Sequence, residues 1–140
     1  MNLYLESSAA LRDLLEGDEA QAIRALLGKA QLVATSRLTL SEVGRVLARL
    51  RVLDPQAAAR ASVRESEFES ETELWVVQPV DEPIWERCRR PFPAEPVRLL
   101  DAVHLATIEK LGGLLPGLTI LSTDERVRRN ASALGFDVRP

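Results

Sequence analysis

The sequence predicts an α/β fold of three layers, with a central, mostly parallel sheet of about five short strands covered by helices on both faces. Two observations carry that expectation. Short aliphatic runs alternate along the chain with longer stretches of helical spacing, the pattern of a parallel sheet wrapped by its own crossovers. Cap and turn residues fall between the runs and punctuate each one.

Residues 2–5 (NLYL) read as a buried strand, after which Ser7 or Ser8 can cap a helix running to about Leu15. A second helix is expected over residues 19–28, and Leu32 to Ala34 is the next strand. The stripe Val43, Val46, Leu47 and Leu50 marks the helix after it. Asp54-Pro55 then supplies an N-cap and a proline at the first helical position, so the alanine-rich stretch that follows should be helix, fading into a run of glutamates. Residues 74–77 (LWVV) make a third strand and Asp81 to Arg90 a short helix. Pro91, Pro93 and Pro96 force a loop, because each removes a backbone donor and restrains its predecessor. Val97 to Leu111 is apolar almost all round, the mark of a buried helix, and Gly112-Gly113 ends it. Leu118 to Leu121 is a fourth strand, Asp124 to Leu134 a helix stopped by Gly135, and Phe136 to Val138 a terminal strand. There are no internal repeats.

A chain of 140 residues is most economically one domain, residues 1–140, large enough to bury a core without disulfides. Aromatic residues are only 4%, so that core must be aliphatic. The single cysteine, Cys88, excludes an internal disulfide, and no secretory leader opens the chain, so a reducing cytoplasm is the expected setting. No apolar run approaches the roughly 20 residues that span a bilayer. A net charge of −3 gives no global nucleic-acid signature, but five glutamates in residues 65–73 (ESEFESETE) mask a more basic remainder. Arginine outnumbers lysine by sixteen to two, which genomic base composition alone would explain.

The most informative residues are four acids in apolar sequence: Glu6 in YLESSAAL, Glu42 in LTLSEVGRVL, Asp101 in RLLDAVHLAT and Asp124 in ILSTDERV. Charge is costly to remove from water unless it is paired or binds a cation. In open parallel sheets the ligand site lies outside the carboxyl ends of the strands, where helices begin, and all four acids fall on that side. Clustered carboxylates suit Mg²⁺ or Mn²⁺, and two such ions about 4 Å apart can drive phosphodiester hydrolysis.

Each acid also has an ordinary explanation. Thr39-x-x-Glu42 fits a capping box, although Glu42 shares a helix face with Val46 and Leu50, which points it inward. Asp124 can cap its helix alongside Ser122 or Thr123, Asp101 can pair with Arg98, and Glu6 can sit solvated beside a helix N-terminus. His104 shares a face with Asp101 and reads as a core residue with hydrogen-bonded nitrogens rather than a ligand. Cys88 lies among charges with no histidine nearby, and neither a G-x-S-x-G elbow nor a glycine-rich phosphate loop exists. Arg12, Arg126, Arg128 and Arg129 flank the acids and are candidate phosphate contacts, or simply solvated helix charges.

Taken together, the segments resemble PIN-domain ribonucleases. YLESSAALRDLL is similar to the opening YLDSSALVKLL pattern, TLSEV to the internal glutamate motif, LLDAVHLATIEKL to the LDALHLATA helix and LSTDERVRRNASALGFDV to the closing TxDxR segment. Within that family, length and compactness resemble the VapC toxins of type II toxin–antitoxin pairs. The resemblance implies a PIN-like fold and a Mg²⁺- or Mn²⁺-dependent endoribonuclease working by two-metal or metal-hydroxide hydrolysis. It also implies a homodimer and a VapB-like antitoxin that silences it. Glu42, Asp101 and Asp124 match the family's acidic ligands, Ser122 a hydroxyl position that orients the site, and His104 a structural helix position. Glu6 departs from the pattern, since the family has aspartate there. A glutamate is one methylene longer, so either impaired or metal-shifted activity, or a PIN-like protein that only binds RNA or a protein partner, is the alternative expectation.

Overall fold

The structure is a computed structural model that describes residues 1–140. Its elements are β1 (Asn2–Leu5), α1 (Ser7–Leu14), α2 (Ala20–Leu27), β2 (Leu32–Ser36), α3 (Arg37–Leu53), α4 (Pro55–Thr72), β3 (Val76–Gln78), α5 (Glu82–Cys88), α6 (Leu99–Gly112), β4 (Leu118–Leu121), α7 (Glu125–Ala133) and β5 (Asp137–Arg139). The five strands form one sheet in the order β3-β2-β1-β4-β5, and every neighbouring pair is parallel.

Alternation along the central strands sorts the core into two halves. Tyr4 of β1 with Leu118 and Ile120 of β4 face a cluster that includes Val103, Leu105 and Ile108 of α6 and Val127 of α7. Leu3, Leu5 and Leu121 point to the other side, against Ala10 and Leu14 of α1, Ile23 of α2, Val43 and Leu47 of α3 and Phe68 of α4. The result is helices α1–α4 on one face of the sheet and α5–α7 on the other. Helix α6 is buried from Ala102 through Ile108, as an all-round apolar sequence requires. Gly112 is needed at its end, because a Cβ there would come within 2.4 Å of the Phe136 ring. Gly135, at φ +94°, makes the left-handed turn that sends the chain from α7 into β5.

Several boundaries differ from the sequence reading for identifiable reasons. Helix α1 is capped by Glu6, whose side chain accepts the Ser8 N–H, and not by Ser7 or Ser8. Ser36 caps α3 by accepting from Leu38 N–H; Thr39 and Glu42 therefore lie inside the helix and form no capping box. The third strand begins at Val76, because Leu74 is 88% exposed and Trp75 turns back to meet Phe68 edge-to-face at 5.5 Å. Helix α4 does not fade at the glutamates. Arg64 ties Glu67 and Glu71, Arg51 binds Glu65, and Phe68 anchors the inner face. Arg64 also reaches across to Asp13 of α1, which is fully buried and held on its other oxygen by Arg24 of α2. Burial opposes the Arg64 charge, but hydrogen bonds to Asp13 and Glu71 outweigh it and raise its pKa further. This network locks three helices together.

Candidate metal centre and its surroundings

In the strand order β3-β2-β1-β4-β5, the chain first builds outward from β1 through β2 and then returns to place β4 on the opposite side of β1. A crevice opens at such a switch point, beyond the carboxyl ends of the two strands. Glu6 is the residue immediately after β1, and Ser122, Thr123 and Asp124 follow β4 directly. Their backbones are joined, with Glu6 N–H donating to Leu121 O at 2.9 Å. Glu42 projects from the second turn of α3 and Asp101 from the first turn of α6.

Glu6 is buried, with 3% of its surface exposed. Its Oε1 accepts the Ser7 hydroxyl at 2.6 Å and the Ser8 N–H at 3.1 Å. Its Oε2 accepts the Ser122 hydroxyl at 2.8 Å and the Ser8 hydroxyl in a shorter bond. The same serines accept from the next turn: Ser8 Oγ takes Thr123 N–H at 2.8 Å and Asp124 N–H at 3.1 Å, and Ser122 Oγ lies 3.1 Å from Asp124 N. Asp124 in turn caps α7 by accepting Arg126 and Val127 N–H on Oδ1, which leaves Oδ2 without a protein donor.

His104 has the core placement expected of it and adds a link that the sequence did not reveal. Its Nδ1 meets the buried Tyr4 hydroxyl at 2.9 Å and its Nε2 meets Glu42 Oε1 at 2.6 Å. Both ring nitrogens therefore have hydrogen-bond partners. Burial, then the charges of Glu6 and Glu42, push the Tyr4 phenol well above its ordinary pKa and keep it a donor. Asp101 forms no ion pair with Arg98. Its carboxyl is raised above the usual value by burial first, then by the charges of Asp124 and Glu6, with His104 and Arg126 pulling the other way. Asp101 therefore lies within electrostatic reach of Asp124 and Glu6. No three His, Cys, Asp or Glu side chains converge on a single point in these rotamers.

The four flanking arginines divide. Arg12 shares a cleft of about 490 Å³ with Ser8, Thr123 and Asp124. Arg126 and Arg129 are exposed. Arg128 is committed elsewhere, its guanidinium donating to Ser122 O at 2.7 Å and Pro140 O at 3.1 Å. The residues that sequence reasoning missed as parts of the site are Tyr4, Ser7 and Ser8. The adjacent hydroxyls after a strand-end acid were the available signal.

The PIN domain family matches residues 3–133, and the chain belongs to it. Within that family it is of the VapC type. Ribonuclease VapC46 of Mycobacterium tuberculosis (strain ATCC 25618 / H37Rv) is 32% identical over 136 residues, covering 97% of this chain and 95% of that one. The fold recurs in the crystal structure of VapC20 from Mycobacterium tuberculosis, a sarcin-ricin loop cleaving toxin, with a TM-score of 0.62, 20% identity and 99% of each chain covered. It recurs also in a toxin–antitoxin complex from Klebsiella pneumoniae, with a TM-score of 0.61, 18% identity, and 99% and 96% of the two chains covered.

Proposed function

We propose that this VapC-type ribonuclease is an endoribonuclease that cleaves RNA with the help of Mg²⁺ or Mn²⁺ held by Glu42, Asp101 and Asp124. The carrying observation is Asp101, a carboxylate that is pushed up by burial and by Asp124 and Glu6, with no protein cation bonded to it. Uncompensated charge among oxygen donors suits a hard divalent cation better than any other ligand class. When bound, the ion supplies Lewis-acid chemistry for phosphodiester hydrolysis. The protein's own contribution is orientation. His104 holds one oxygen of Glu42 and leaves the other for the crevice, while the Ser8 and Ser122 hydroxyls pin the backbone that carries Asp124. Arg12, from its place in the cleft beside Asp124, is positioned to neutralise a phosphate, with Arg126 and Arg129 on the adjoining helix. Arg128 is better read as a strut between the β4–α7 turn and the C-terminus.

A VapB-like antitoxin and a second copy of the chain are the partners we infer. Support comes from the recurrence of the fold in a toxin–antitoxin complex and from apolar side chains left outside the core, Leu53 at 67%, Val63 at 71% and Leu74 at 88% exposure. No helix is long and apolar enough to cross a membrane. Incubation of the purified chain with a structured RNA and with DNA of the same sequence, with Mn²⁺, Mg²⁺ or a chelator, tests the reading. Metal-dependent cleavage of the RNA alone is expected. Binding without cleavage under every condition would favour the non-catalytic alternative raised by Glu6.

A further inference from the structure

Of the four acids, Glu6 is the one whose oxygens are already used. A carboxylate offers about four lone-pair positions. Ser7 Oγ and Ser8 N–H occupy those of Oε1, and the Ser8 and Ser122 hydroxyls occupy those of Oε2. The proton count agrees with this assignment. Each serine hydroxyl has one proton to give. Ser7 Oγ is closer to Glu6 than to Glu42, at 2.6 against 3.0 Å, so its proton belongs to Glu6. Ser8 and Ser122 accept backbone N–H groups from Thr123 and Asp124, which leaves their own protons directed at Glu6. Asp101 by contrast accepts nothing from the protein, and Glu42 and Asp124 each keep an oxygen without a protein donor. The Glu6 side chain also serves as the N-cap of the helix that follows it, accepting the Ser8 N–H.

We propose that Glu6 is a positioning residue and not a metal ligand: its buried carboxylate orients Ser8 and Ser122, and these two hydroxyls fix the Thr123–Asp124 backbone so that Asp124 faces the crevice. The inference rests on the metal reading given above for Glu42, Asp101 and Asp124, and it has a consequence that needs no metal. Two hydroxyls that accept N–H groups while donating to Glu6 are held in one rotamer only as long as Glu6 is an acceptor on both oxygens. A glutamine at that position turns one oxygen into a donor, which the serine protons must then avoid, and the acceptor geometry at Thr123 and Asp124 is lost.

The test compares wild type, Glu6→Gln and Asp101→Asn by calorimetric titration of the metal-free proteins with MnCl₂ and by amide hydrogen exchange without metal. Glu6→Gln, which loosens an outer partner, is expected to lower Mn²⁺ affinity by about tenfold, whereas Asp101→Asn, a ligand change, lowers it by at least about a hundredfold. The Thr123 and Asp124 amides should exchange at least about tenfold faster in Glu6→Gln, with core amides of β1 and α6 less affected. Ser8→Ala and Ser122→Ala should reproduce that acceleration, and Glu6→Gln added to either should add little. Loss of Mn²⁺ affinity in Glu6→Gln to the extent seen in Asp101→Asn would overturn the proposal. So would Thr123 and Asp124 exchange that stays at the wild-type rate. Failure of the wild type to bind Mn²⁺ at all would instead sink the metal reading, and the exchange data would still decide the positioning role.

Discussion

Replacing His104 with alanine removes the one side chain that joins Tyr4 to Glu42, and the structure sets the size of the effect. The imidazole, on the buried face of α6, is 1% exposed, so its removal leaves a cavity of the kind that costs about 2 to 4 kcal/mol when a large buried side chain is cut to alanine. The Tyr4 hydroxyl, fully buried, loses its 2.9 Å partner and keeps only the neighbouring Thr39 and Ser36 hydroxyls, and a buried hydroxyl left poorly paired costs about 1 to 3 kcal/mol. Glu42 is partly exposed and can rehydrate, so it adds little. A water entering the cavity would offset part of the second figure, and the total is about 3 to 5 kcal/mol. At about 2.1 cal/mol/K per residue, 1 kcal/mol corresponds to about 3.4 °C for a chain of this length, so the melting temperature should fall by about 10 to 17 °C. Thermal unfolding followed by circular dichroism, with His104→Gln as the conservative companion, is the assay. Glutamine retains a donor that can reach Glu42 and should recover part of the loss. A melting temperature for His104→Ala within about 3 °C of wild type would refute the argument that the ring is an essential buried link, since a typical point mutation costs about 1 kcal/mol.

Three further outcomes follow from the same geometry. Asp13→Ala strands Arg64 and Arg24 without their shared buried carboxylate and should cost about 3 to 5 kcal/mol, read as a drop in the urea midpoint; a shift within error would show that the network is dispensable. Because burial and neighbouring acids raise the Asp101 pKa in the folded chain, its stabilising contribution is complete below the unfolded value near 3.9 and is lost as pH rises through the folded one. Metal-free Asp101→Asn should therefore melt higher than wild type at pH 7, by less than about 1 kcal/mol after solvent screening, and no higher near pH 3; a lower melting point at pH 7 would reverse the sign of the argument. Changing Arg12, Arg126 and Arg129 together to alanine should flatten the salt dependence of single-stranded RNA binding by roughly 0.7 in log–log slope per lost phosphate contact, and an unchanged slope would put the RNA on another surface.

What the sequence made legible is what periodicity and punctuation encode. The five parallel strands, the all-round apolar α6 and the placement of Glu6 and Asp124 at strand ends were readable because each depends on residues within a few positions of one another. The edge strand was misplaced by two residues because Leu74 is as apolar as a strand residue but lies outside the sheet, a fact of tertiary position. The interior of the site was hidden for the same reason. Ser122 reaches Glu6 across 116 residues, His104 reaches Glu42 across 62, and Arg64 reaches Asp13 across 51, so no local pattern signals which hydroxyl, ring or guanidinium completes which acid. Sequence could say that a lone histidine in an apolar helix needs partners for both nitrogens. It could not say that one partner is a site carboxylate.

The measurement that tests the account most directly is single-turnover cleavage of a structured RNA by wild type and by Asp101→Asn, each shown to be folded, at fixed pH with Mn²⁺, with Mg²⁺ and with a chelator. Outer partners of a metal site are worth about 10- to 100-fold, so the loss of a direct ligand should lower the metal-supported rate by at least about a hundredfold while the chelator abolishes wild-type cleavage altogether. Cleavage by folded Asp101→Asn at the wild-type rate, or wild-type cleavage that survives the chelator, would contradict a metal-dependent site built on Glu42, Asp101 and Asp124.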